Sequence, residues 1–301
     1  MRRGGRRIAI GAVAALAALV VAAALPVTGM AAKSKRKLTV RPGKNAISKA
    51  LDRVKEPGLL RIKSGRYREA VTIDKQVKLK GVGKGRRPVI DGECEAELTV
   101  AVQHDDVRLR RLKVVGAGRG TFPIEVDYRG VSGGGVKDVV MKDTCDAEYG
   151  INLYETGPID VRDSRAVGFS DAGFYVGEIS DTPGGAIQVR GNEAYRNTRG
   201  VIVENSAGGD IRVSDNRFNF NDVPGFAGAA GIVINNSDGV LIERNQARNN
   251  ADFGLHLTAG SDDNVALANS FLGNPIDVRD QGSGNCGAGN TFLTGDALPP
   301  C

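Results

Sequence analysis

A repeated pair of asparagines constrains the fold of this 301-residue chain more than any other feature. Two asparagines stand five residues apart in GNEAYRN, and the same spacing returns three more times in the C-terminal half of the chain. The four pairs are Asn192 with Asn197, Asn216 with Asn221, Asn245 with Asn250, and Asn269 with Asn274. A unit that returns at intervals of roughly 21–31 residues is typical of a solenoid.

Short segments with alternating apolar residues flank each asparagine pair. Those that follow the turns open with glycine or proline: GINL (from Gly150), GFYV (Gly173), GVIV (Gly200), GIVI (Gly231), GLHL (Gly254) and PIDV (Pro275). A period of two predicts strands, and parallel strands stacked about 4.8 Å apart predict files of equivalent side chains. We expect the asparagines to lie in turns with left-handed backbone and to bond to the amide of the next coil.

Residues 173–206 resemble the coils of secreted bacterial right-handed β-helix repeat proteins, which belong to the pectin-lyase-like superfamily. The resemblance covers roughly residues 38–301. It implies an all-β chain folded as a single-stranded right-handed parallel β-helix of roughly nine to ten coils. The segment ISKALDRV, from Ile47 to Val54, has apolar residues at helical spacing and predicts a short N-terminal helix that caps the open end. One fold hosts many chemistries, so the resemblance leaves the function open.

The first 32 residues predict a secretory signal, because basic MRRGGRR precedes an apolar run from Ile8 to Leu25 and small residues up to Ala32. The alternative is a retained membrane anchor, since 18 apolar residues approach the length of a bilayer span. The predicted organisation is a signal over 1–32, a basic linker and first strand over 33–46, the β-helix over 47–285 and a Gly/Pro-rich tail over 286–301. The expected location is extracellular or cell-wall associated, with membrane contact only through the signal segment.

Export gives the four cysteines a structural role. An even number of cysteines in an exported chain predicts disulfides, and four cysteines allow three pairings. One pairing joins Cys286 to Cys301, which closes the tail, and leaves Cys94 to pair with Cys145 across neighbouring coils in the first half of the chain. A metal site is the alternative, but no CxxC or Cys–His spacing supports it.

Charge is distributed unevenly along the chain. Without residues 1–37, which hold eight basic and no acidic side chains, the net charge changes from +6 to −2. Residues 38–90 carry 15 basic and 4 acidic residues, a net of +11, and residues 91–301 carry a net of −13. The near-neutral total gives no support to nucleic acid as a partner. The asymmetry is that of an ordinary solvated surface, or of one that steers a polyanion or holds the protein near the cell wall.

Alignment of the repeats predicts a file of outward cations. Its five members are Lys80, Arg110, Lys142, Arg162 and Arg190. Cations at the strand spacing suit an acidic polysaccharide or cell-wall glycan, whose carboxylates repeat at a comparable interval. The alternative interpretation is that these cations only solvate exposed strand ends, and Asp143 and Asp163 would neutralise part of the file.

A second file follows the glycine-opened segments. Its predicted outward members are Asn152, Tyr175, Ile202, Val233, His256 and Asp277. The candidate catalytic residues on or beside it are Tyr154, Glu155, Tyr175, Glu178, Glu204 and His256. Glu155 and Glu178 are predicted to lie one above the other, where two carboxylates repel or share a cation, so Ca²⁺ is a candidate cofactor. Tyrosines, carboxylates and a cation are the groups that uronate lyases and epimerases use.

Motifs of characterised β-helix enzymes are missing from the sequence. The chain has no tryptophan and no RxPxxR segment, and its two histidines, His104 and His256, are predicted to lie about six coils apart. The segment GRYRE, from Gly65 to Glu69, resembles the opening of pectin methylesterases without their catalytic segments, and predicts a structural start only. Three functions remain: a lyase or epimerase acting on acidic polysaccharide, a non-catalytic glycan- or wall-binding protein, and a structural solenoid. Of these, the cation file favours a carbohydrate-directed protein.

Overall fold

A computed structural model describes residues 35–223 and 228–301, and the predicted signal segment lies outside them. Within these residues the chain forms 29 short strands and one helix. The paired strands are parallel to each other and wind into a β-helix of about ten turns, which confirms the predicted fold class. In the described residues, no helix combines the length and the apolar character that crossing a membrane requires.

The elements follow one another in a regular order. The first coils contain β1 Lys35–Val40, α1 Ala46–Arg53, β2 Val54–Lys63, β3 Arg66–Arg68, β4 Val71–Ile73, β5 Val77–Val82, β6 Val89–Ala96, β7 Leu98–Val102, β8 Arg108–Arg110 and β9 Lys113–Ala117. The middle coils contain β10 Ile124–Arg129, β11 Gly135–Lys137, β12 Val140–Lys142, β13 Tyr149–Tyr154, β14 Asp160–Arg162, β15 Arg165–Val167, β16 Ala172–Gly177, β17 Ile187–Arg190, β18 Glu193–Tyr195 and β19 Arg199–Glu204. The last coils contain β20 Ile211–Ser214, β21 Arg217–Phe218, β22 Ala230–Asn235, β23 Leu241–Glu243, β24 Phe253–Leu257, β25 Val265–Leu267, β26 Ser270–Phe271, β27 Ile276–Asp280, β28 Cys286–Ala288 and β29 Thr291–Phe292.

Three parallel sheets run along the solenoid axis. Sheet A is formed by β1, β2, β5, β8, β11, β14, β17, β20, β23, β25 and β28. Sheet B is formed by β3, β6, β9, β12, β15, β18 and β21, and sheet C by β4, β7, β10, β13, β16, β19, β22, β24 and β27. The short strands β26 and β29 pair with each other. Because the chain passes from sheet A to sheet B to sheet C in each middle coil, residues one repeat apart become neighbours.

The core lies inside the coils and is made by the inward residues of the alternating segments. It forms one continuous apolar cluster from Val40 to Val278. Aromatic side chains fill the wider places, as Phe174 and Phe218 do with ring centroids 6.0 Å apart. Alternation places every second strand residue in this cluster, so the residues between them face outward and remain free for function.

Helix α1 covers the N-terminal end of the core, as predicted, and GRYRE explains how it is held. The carboxylate of Glu69 accepts hydrogen bonds from the backbone N–H groups of Ile47 at 2.9 Å and Ser48 at 3.0 Å. These groups have no partner inside the helix, and a carboxylate at a helix N-terminus also complements the helix dipole. Tyr67 is buried and its hydroxyl donates to the carbonyl oxygens of Val40 and Lys63. The segment therefore has the structural role that was predicted.

The asparagine files are present and buried. Asn216 shows the pattern: its Oδ1 accepts the backbone N–H of Asn192 at 2.8 Å, and its Nδ2 donates to the carbonyl oxygen of Val189 at 2.8 Å and to Asn245 Oδ1 at 2.9 Å. Asn221 joins Asn197 to the next coil in the same way. Each amide thus satisfies backbone groups that the turn leaves unpaired inside the protein, which fixes the register of successive coils.

The backbone conformation of these turns differs from the expectation. The paired asparagines are not left-handed; the residue before each of them is. Positive φ angles occur at Gly191 (63°), Arg196 (58°), Asp215 (56°), Phe220 (56°), Arg244 (52°), Asn249 (54°), Ala268 (53°) and Gly273 (77°). One left-handed residue bends the chain from one sheet to the next, and the asparagine after it directs its amide inward to the orphaned backbone groups.

Both predicted disulfides are present. Cys286 pairs with Cys301 in the tail, and Cys94 pairs with Cys145 across a sequence separation of 51 residues. The prediction of neighbouring coils was wrong for the second disulfide: it joins turns that are two coils apart, with Gly118 of the intervening coil beside it. A Cβ atom on Gly118 would lie 2.6 Å from the Cβ of Cys145. The close approach therefore requires glycine at this position.

Replacing Asn216 tests the contribution of the asparagine file to stability. Asn216→Ala leaves the backbone N–H of Asn192 and the carbonyl oxygen of Val189 buried without a partner, so we expect a loss of about 3 kcal/mol in the free energy of unfolding. Gln188→Ala, which removes an outward amide from β17, should change it by less than about 0.5 kcal/mol. Urea unfolding measures both values. Equal losses in the two variants would show that the file does not stabilise the fold.

Candidate functional site

An unbroken file of six cations lies on the outer face of sheet A. Strand register places one of them on each of six consecutive coils. This cationic file consists of Arg61, Lys80, Arg110, Lys137, Arg162 and Arg190. The next two positions are Ser214 and Glu243, where the positive charge ends. At the spacing of parallel strands, the file extends for about 24 Å along the solenoid.

One predicted member of the file was wrong. Lys142 lies on β12 in sheet B, where it pairs with Val167, and Lys137 on β11 occupies the predicted place between Arg110 and Arg162. The two lysines end similar apolar–cation segments only five residues apart. A left-handed turn at Asp138 (φ 58°) separates the two strands and directs them into different sheets.

Carboxylates neutralise only the second half of the cationic file. Arg162 and Arg190 both contact Asp160, at 3.2 and 3.0 Å, and Lys137 contacts Asp163 at 3.3 Å. In the described part of the chain, the other three members make no ion pair: Arg61, Lys80 and Arg110. Lys78 and Arg108 pair with each other in register on the same face and widen the positive surface.

A shallow depression accompanies the file. Gly134 and Gly135 leave the surface without side chains between β8 and β14, and the resulting space has a volume of about 340 Å³. Five cations line it: Lys78, Arg108, Arg110, Lys137 and Arg162. The arrangement is suited to hold an anionic group against the sheet, because several fixed cations surround one solvent-filled space.

The outer face of sheet C forms a second surface. Strand register gives the file Asp127, Asn152, Tyr175, Ile202, Val233, His256 and Arg279. The predicted order from Asn152 to His256 is therefore correct. Its predicted last member was wrong, because Arg279 and not Asp277 pairs with His256.

Asp277 lies instead in the file of glycines at the corner of sheet C. The register of β24 with β27 places it beside Gly254, where it is buried and accepts hydrogen bonds from Asn274 and from the backbone of Leu293. Pro275 therefore precedes the glycine position and does not replace it. A Cβ at Gly254 would lie 2.5 Å from the carbonyl oxygen of Asp277, which explains why these segments open with glycine.

Most of the predicted catalytic carboxylates have partners of their own. Glu204 accepts from the Tyr175 hydroxyl at 2.9 Å and from Asn235 Nδ2 at 2.7 Å, so both of its oxygens are occupied. Glu178 follows Glu155 by one coil, as predicted, and accepts from Asn205 at 2.8 Å. Glu155 and Glu178 also line a depression of about 650 Å³ at the turn after sheet C. Glu204 is thus placed to orient Tyr175.

His256 does not join this network. Its Nε2 lies 3.1 Å from Gln281 Oε1, and its ring packs on Phe253 with centroids 4.4 Å apart. The file places it three coils, about 14 Å, from Tyr175. His104 follows β7, which lies six strands before the strand of His256 in sheet C. The two histidines therefore cannot act on one bound group.

The most compact group of polar side chains on sheet C surrounds Asp127. Asn152 Nδ2 donates to Asp127 Oδ1 at 2.5 Å, and Arg129 Nε lies 3.6 Å from Oδ2. The Arg129 guanidinium stacks on the ring of Tyr154, 4.5 Å from its centroid, while half of the arginine side chain remains exposed. Burial raises the pKa of Asp127, partly offset by the hydrogen bond from Asn152 and the charge of Arg129.

A second group adjoins the first through Tyr175. Tyr149 packs on Tyr175 with ring centroids 4.8 Å apart, and its hydroxyl donates to Asp171 at 3.2 Å. Asp171 also forms an ion pair with Arg199. Burial raises the pKa of Asp171, and burial together with the nearby carboxylates raises the pKa values of Tyr149 and Tyr175. These tyrosines are therefore hydrogen-bond donors at neutral pH.

Sequence comparison of the coils missed Asp127, Arg129, Asp171, Arg199 and Lys137. Asp127 and Arg129 lie in IEVDYR, which aligns with YGINLY and so places Glu125 at the glycine position. The signal was therefore present, but a charged residue stood where the repeat has glycine. Asp171 and Arg199 lie at strand entrances, where turns of variable length obscure the alignment.

Glu125 occupies that glycine position as a fully buried acid. Its Oε1 accepts from the backbone N–H of Ala117 at 3.3 Å, and its Oε2 has no hydrogen-bond partner in the described residues. Burial raises the pKa of Glu125 from 4.5 to about 8. The side chain is therefore mostly protonated at physiological pH inside the folded protein, on the same strand as Asp127.

The comparisons with known proteins agree with the architecture. The family model described as "Periplasmic copper-binding protein (NosD)" matches residues 124–296. Pectate lyase Pel9A is similar in structure, with a TM-score of 0.58 and 16% identity over 88% of this chain and 79% of that one. A rhamnogalacturonan lyase has a TM-score of 0.59 and 11% identity over 81% and 74% of the two chains. An alginate lyase from Paenibacillus sp. str. FPU-7 has a TM-score of 0.54 and 13% identity over 88% and 98%. No curated protein sequence matches this chain.

The described residues do not fit the copper ion that the family's description names. Within residues 35–223 and 228–301, no group of three or more His, Cys, Asp or Glu side chains is placed to hold a metal ion. Copper sites use thiolate, thioether and imidazole ligands. All four cysteines are in disulfides, Met141 is buried in the core, and the histidines lie far apart. The described residues therefore provide no ligand set suited to copper, and Glu155 and Glu178 are not part of a group of three or more such side chains.

The raised pKa of Glu125 predicts a pH-dependent stability. The unfolded chain loses this proton above about pH 4.5, whereas the folded chain keeps it up to about pH 8. The part of the free energy of unfolding that depends on Glu125 is therefore highest below pH 4.5. It decreases by up to about 1.4 kcal/mol per pH unit as the pH rises to 8. Glu125→Gln should flatten this dependence and make the protein more stable than wild type at pH 8–9. Urea unfolding between pH 5 and 9 measures it, with exposed Glu95→Gln as the control. Parallel curves for wild type and Glu125→Gln would contradict the assignment.

Proposed function

This chain belongs to the NosD family of parallel β-helix proteins, and from that premise we propose that it is an exported, carbohydrate-directed protein that binds an acidic polysaccharide. The binding surface is the cationic file of sheet A. The observation that carries this proposal is the register: six consecutive coils present a cation at the same position. Surface cations that only provide solubility need no such alignment.

Geometry favours an extended chain of uronate residues as the ligand. The file is straight, about 24 Å long and parallel to the axis, so its cations meet successive carboxylates of one polymer. Arg61, Lys80 and Arg110 have no ion pair in the described residues, and they provide the charge without first breaking internal contacts. The structural neighbours include lyases named for pectate, rhamnogalacturonan and alginate. Their similarity is one of fold, and it supports a glycan partner without identifying it.

A second candidate function is a lyase or epimerase reaction on the outer face of sheet C. The specific observation in its favour is the position of Arg129 beside Tyr154 and Asp127. Arg162 and Arg190 belong to the cationic file on sheet A, a different face from the tyrosines, as predicted. Arg129 has the same charge on the correct face, and half of its side chain is open to a ligand.

The chemistry assigns a role to each member of this group. Arg129 pairs with the uronate carboxylate and so stabilises negative charge that develops at C5. Either Asp127 or Tyr154 removes the C5 proton. The electron pair of the broken C5–H bond forms the C4–C5 double bond as the C4–O bond breaks. The other donates a proton to the departing oxygen. In epimerisation, a proton returns to the opposite face of C5 instead. Tyr175 and Glu204 position the neighbouring subsite, and Glu155, Glu178 and His256 lie at its edges.

Binding by the cationic file is tested with a matched pair of double variants. Arg110→Ala with Lys137→Ala removes two central cations, and Lys113→Ala with Lys142→Ala removes two cations from sheet B. We expect the first pair to weaken the affinity for polygalacturonate or alginate by about tenfold or more, since each lost contact contributes on the order of 1 kcal/mol. The second pair should leave it within about twofold. Calorimetric titration at two salt concentrations measures both, and equal losses would exclude the file as the binding surface.

Catalysis at sheet C is tested by ultraviolet absorbance and by NMR. A lyase produces an unsaturated uronate that absorbs in the ultraviolet, and an epimerase exchanges the C5 proton with deuterated water. We expect Asp127→Asn and Arg129→Gln each to lower either activity at least about 100-fold, because they remove an acid–base group and the carboxylate ligand. Arg162→Gln on sheet A should leave turnover at saturating substrate unchanged. A panel of pectate, alginate and glycosaminoglycans that shows neither signal, with and without calcium, would exclude this candidate.

A further inference from the structure

The N-terminal end of the solenoid concentrates positive charge separately from the cationic file. Eight cations belong to the segment from β1 to the start of β2, against two acidic residues, Asp52 and Glu56. This basic end consists of Lys35, Arg36, Lys37, Arg41, Lys44, Lys49, Arg53 and Lys55. We propose that the basic end binds the surface of an anionic phospholipid bilayer.

All eight side chains are exposed to solvent. In the described residues none of them forms an ion pair, and the first arginine that does so is Arg66. Outside the cationic file, arginines that join neighbouring coils have carboxylate partners, as Arg199 and Arg244 do. The basic end is therefore free to meet an external array of negative charge.

The shape of this end suits a plane more than a single chain. Strand β1 forms the edge of sheet A, and α1 covers the core beside it with Ile47 and Leu51 buried. Lys49 and Arg53 are on the exposed part of the same helix. The cations are thus spread over the strand, the connection and the helix, and not aligned in one row. Lipid headgroups offer charge in two dimensions, and each Lys or Arg near such a surface adds to the attraction.

The basic end is also the part of the described chain that lies nearest in sequence to the predicted signal segment. Thirty-four residues precede Lys35, and they include the apolar run from Ile8 to Leu25. A segment of this kind is predicted to engage the membrane during export or to remain there as an anchor, and the basic end follows it closely in sequence. Charge complementarity and chain connectivity therefore identify the same surface.

A second copy of this chain is a weaker candidate for the partner. The C-terminal coils are acidic, but their carboxylates already bind their own backbone. Asp262 accepts from the N–H of Ser283 at 2.7 Å, and Asp296 accepts from the N–H of Asp280 at 2.9 Å. Carboxylates committed to these turns are poorly placed to receive the basic end of another copy.

The experiment compares full-length variants on vesicles. Arg41→Gln, Lys44→Gln and Lys49→Gln together remove three cations of the basic end, and Lys113→Gln, Lys142→Gln and Arg196→Gln remove three elsewhere. Co-sedimentation is measured with vesicles of phosphatidylcholine alone and with phosphatidylglycerol added. The ratio of the two partition coefficients cancels the contribution of the apolar run, which is the same in every variant.

We expect wild type to prefer the anionic vesicles, the basic-end variant to lose on the order of 100-fold of that preference, and the control to lose less than about threefold. Preference that falls equally in both variants reflects net charge alone and overturns the proposal. The proposal is also overturned if the protein shows no preference for anionic vesicles and instead forms a salt-sensitive dimer that requires the basic end. Unchanged thermal unfolding confirms that the variants are folded. The basic-end variant should bind polygalacturonate as tightly as wild type does. Failure of the lipid-binding proposal would therefore leave the glycan-binding proposal unaffected.

Discussion

Hydrogen bonding between successive coils is the constraint on which the rest of this structure depends. Each coil of the asparagine files has backbone N–H and C=O groups at its turns that other backbone groups do not pair and that lie buried from water. Asparagine meets this need because one amide both accepts and donates. Asn216 and Asn245 connect their coils through backbone and side chain at once. Any slip in register would leave several such groups unsatisfied in the interior, so the stacking is specified at each turn.

In-register stacking turns a one-dimensional repeat into functional surfaces. Arg110 and Lys137 are 27 residues apart in the sequence, yet they are neighbours on sheet A. The same rule brings Asp127 next to Asn152 and Tyr154 next to Arg129 on sheet C. Binding and chemistry are therefore assigned to different faces of one rigid core. A polymer held on sheet A does not reach the tyrosines, so the two proposals stand or fall separately.

The fold and the helical cap were predictable because each depends on a periodic or local pattern, and the disulfide pairs because four cysteines allow only three pairings. The site was less so, and the errors share one cause. Lys142 was assigned to the file because its segment repeats the alternation of the correct one, and the turn at Asp138 decides which strand enters which sheet. Asp277 was expected to face outward because Pro275 was aligned with glycine. Asp127 escaped notice because Glu125 occupies the glycine position. In each case, a turn of different length or one unusual residue shifted the alignment of the repeats by a few positions, so that the wrong residue was assigned to the file.

The sequence by itself determined that this chain forms a parallel β-helix, since alternating strands and regularly spaced asparagines satisfy the buried backbone when successive coils stack in register. It also determined that cations are concentrated near the N-terminal end. Only the tertiary structure decided which cations form a file and that Arg129 lies beside the tyrosines. It also decided that Glu204 accepts hydrogen bonds from Tyr175 and Asn235. These outcomes depend on turn conformations and on burial. Both are set by contacts between coils, and such contacts do not exist until the coils have stacked.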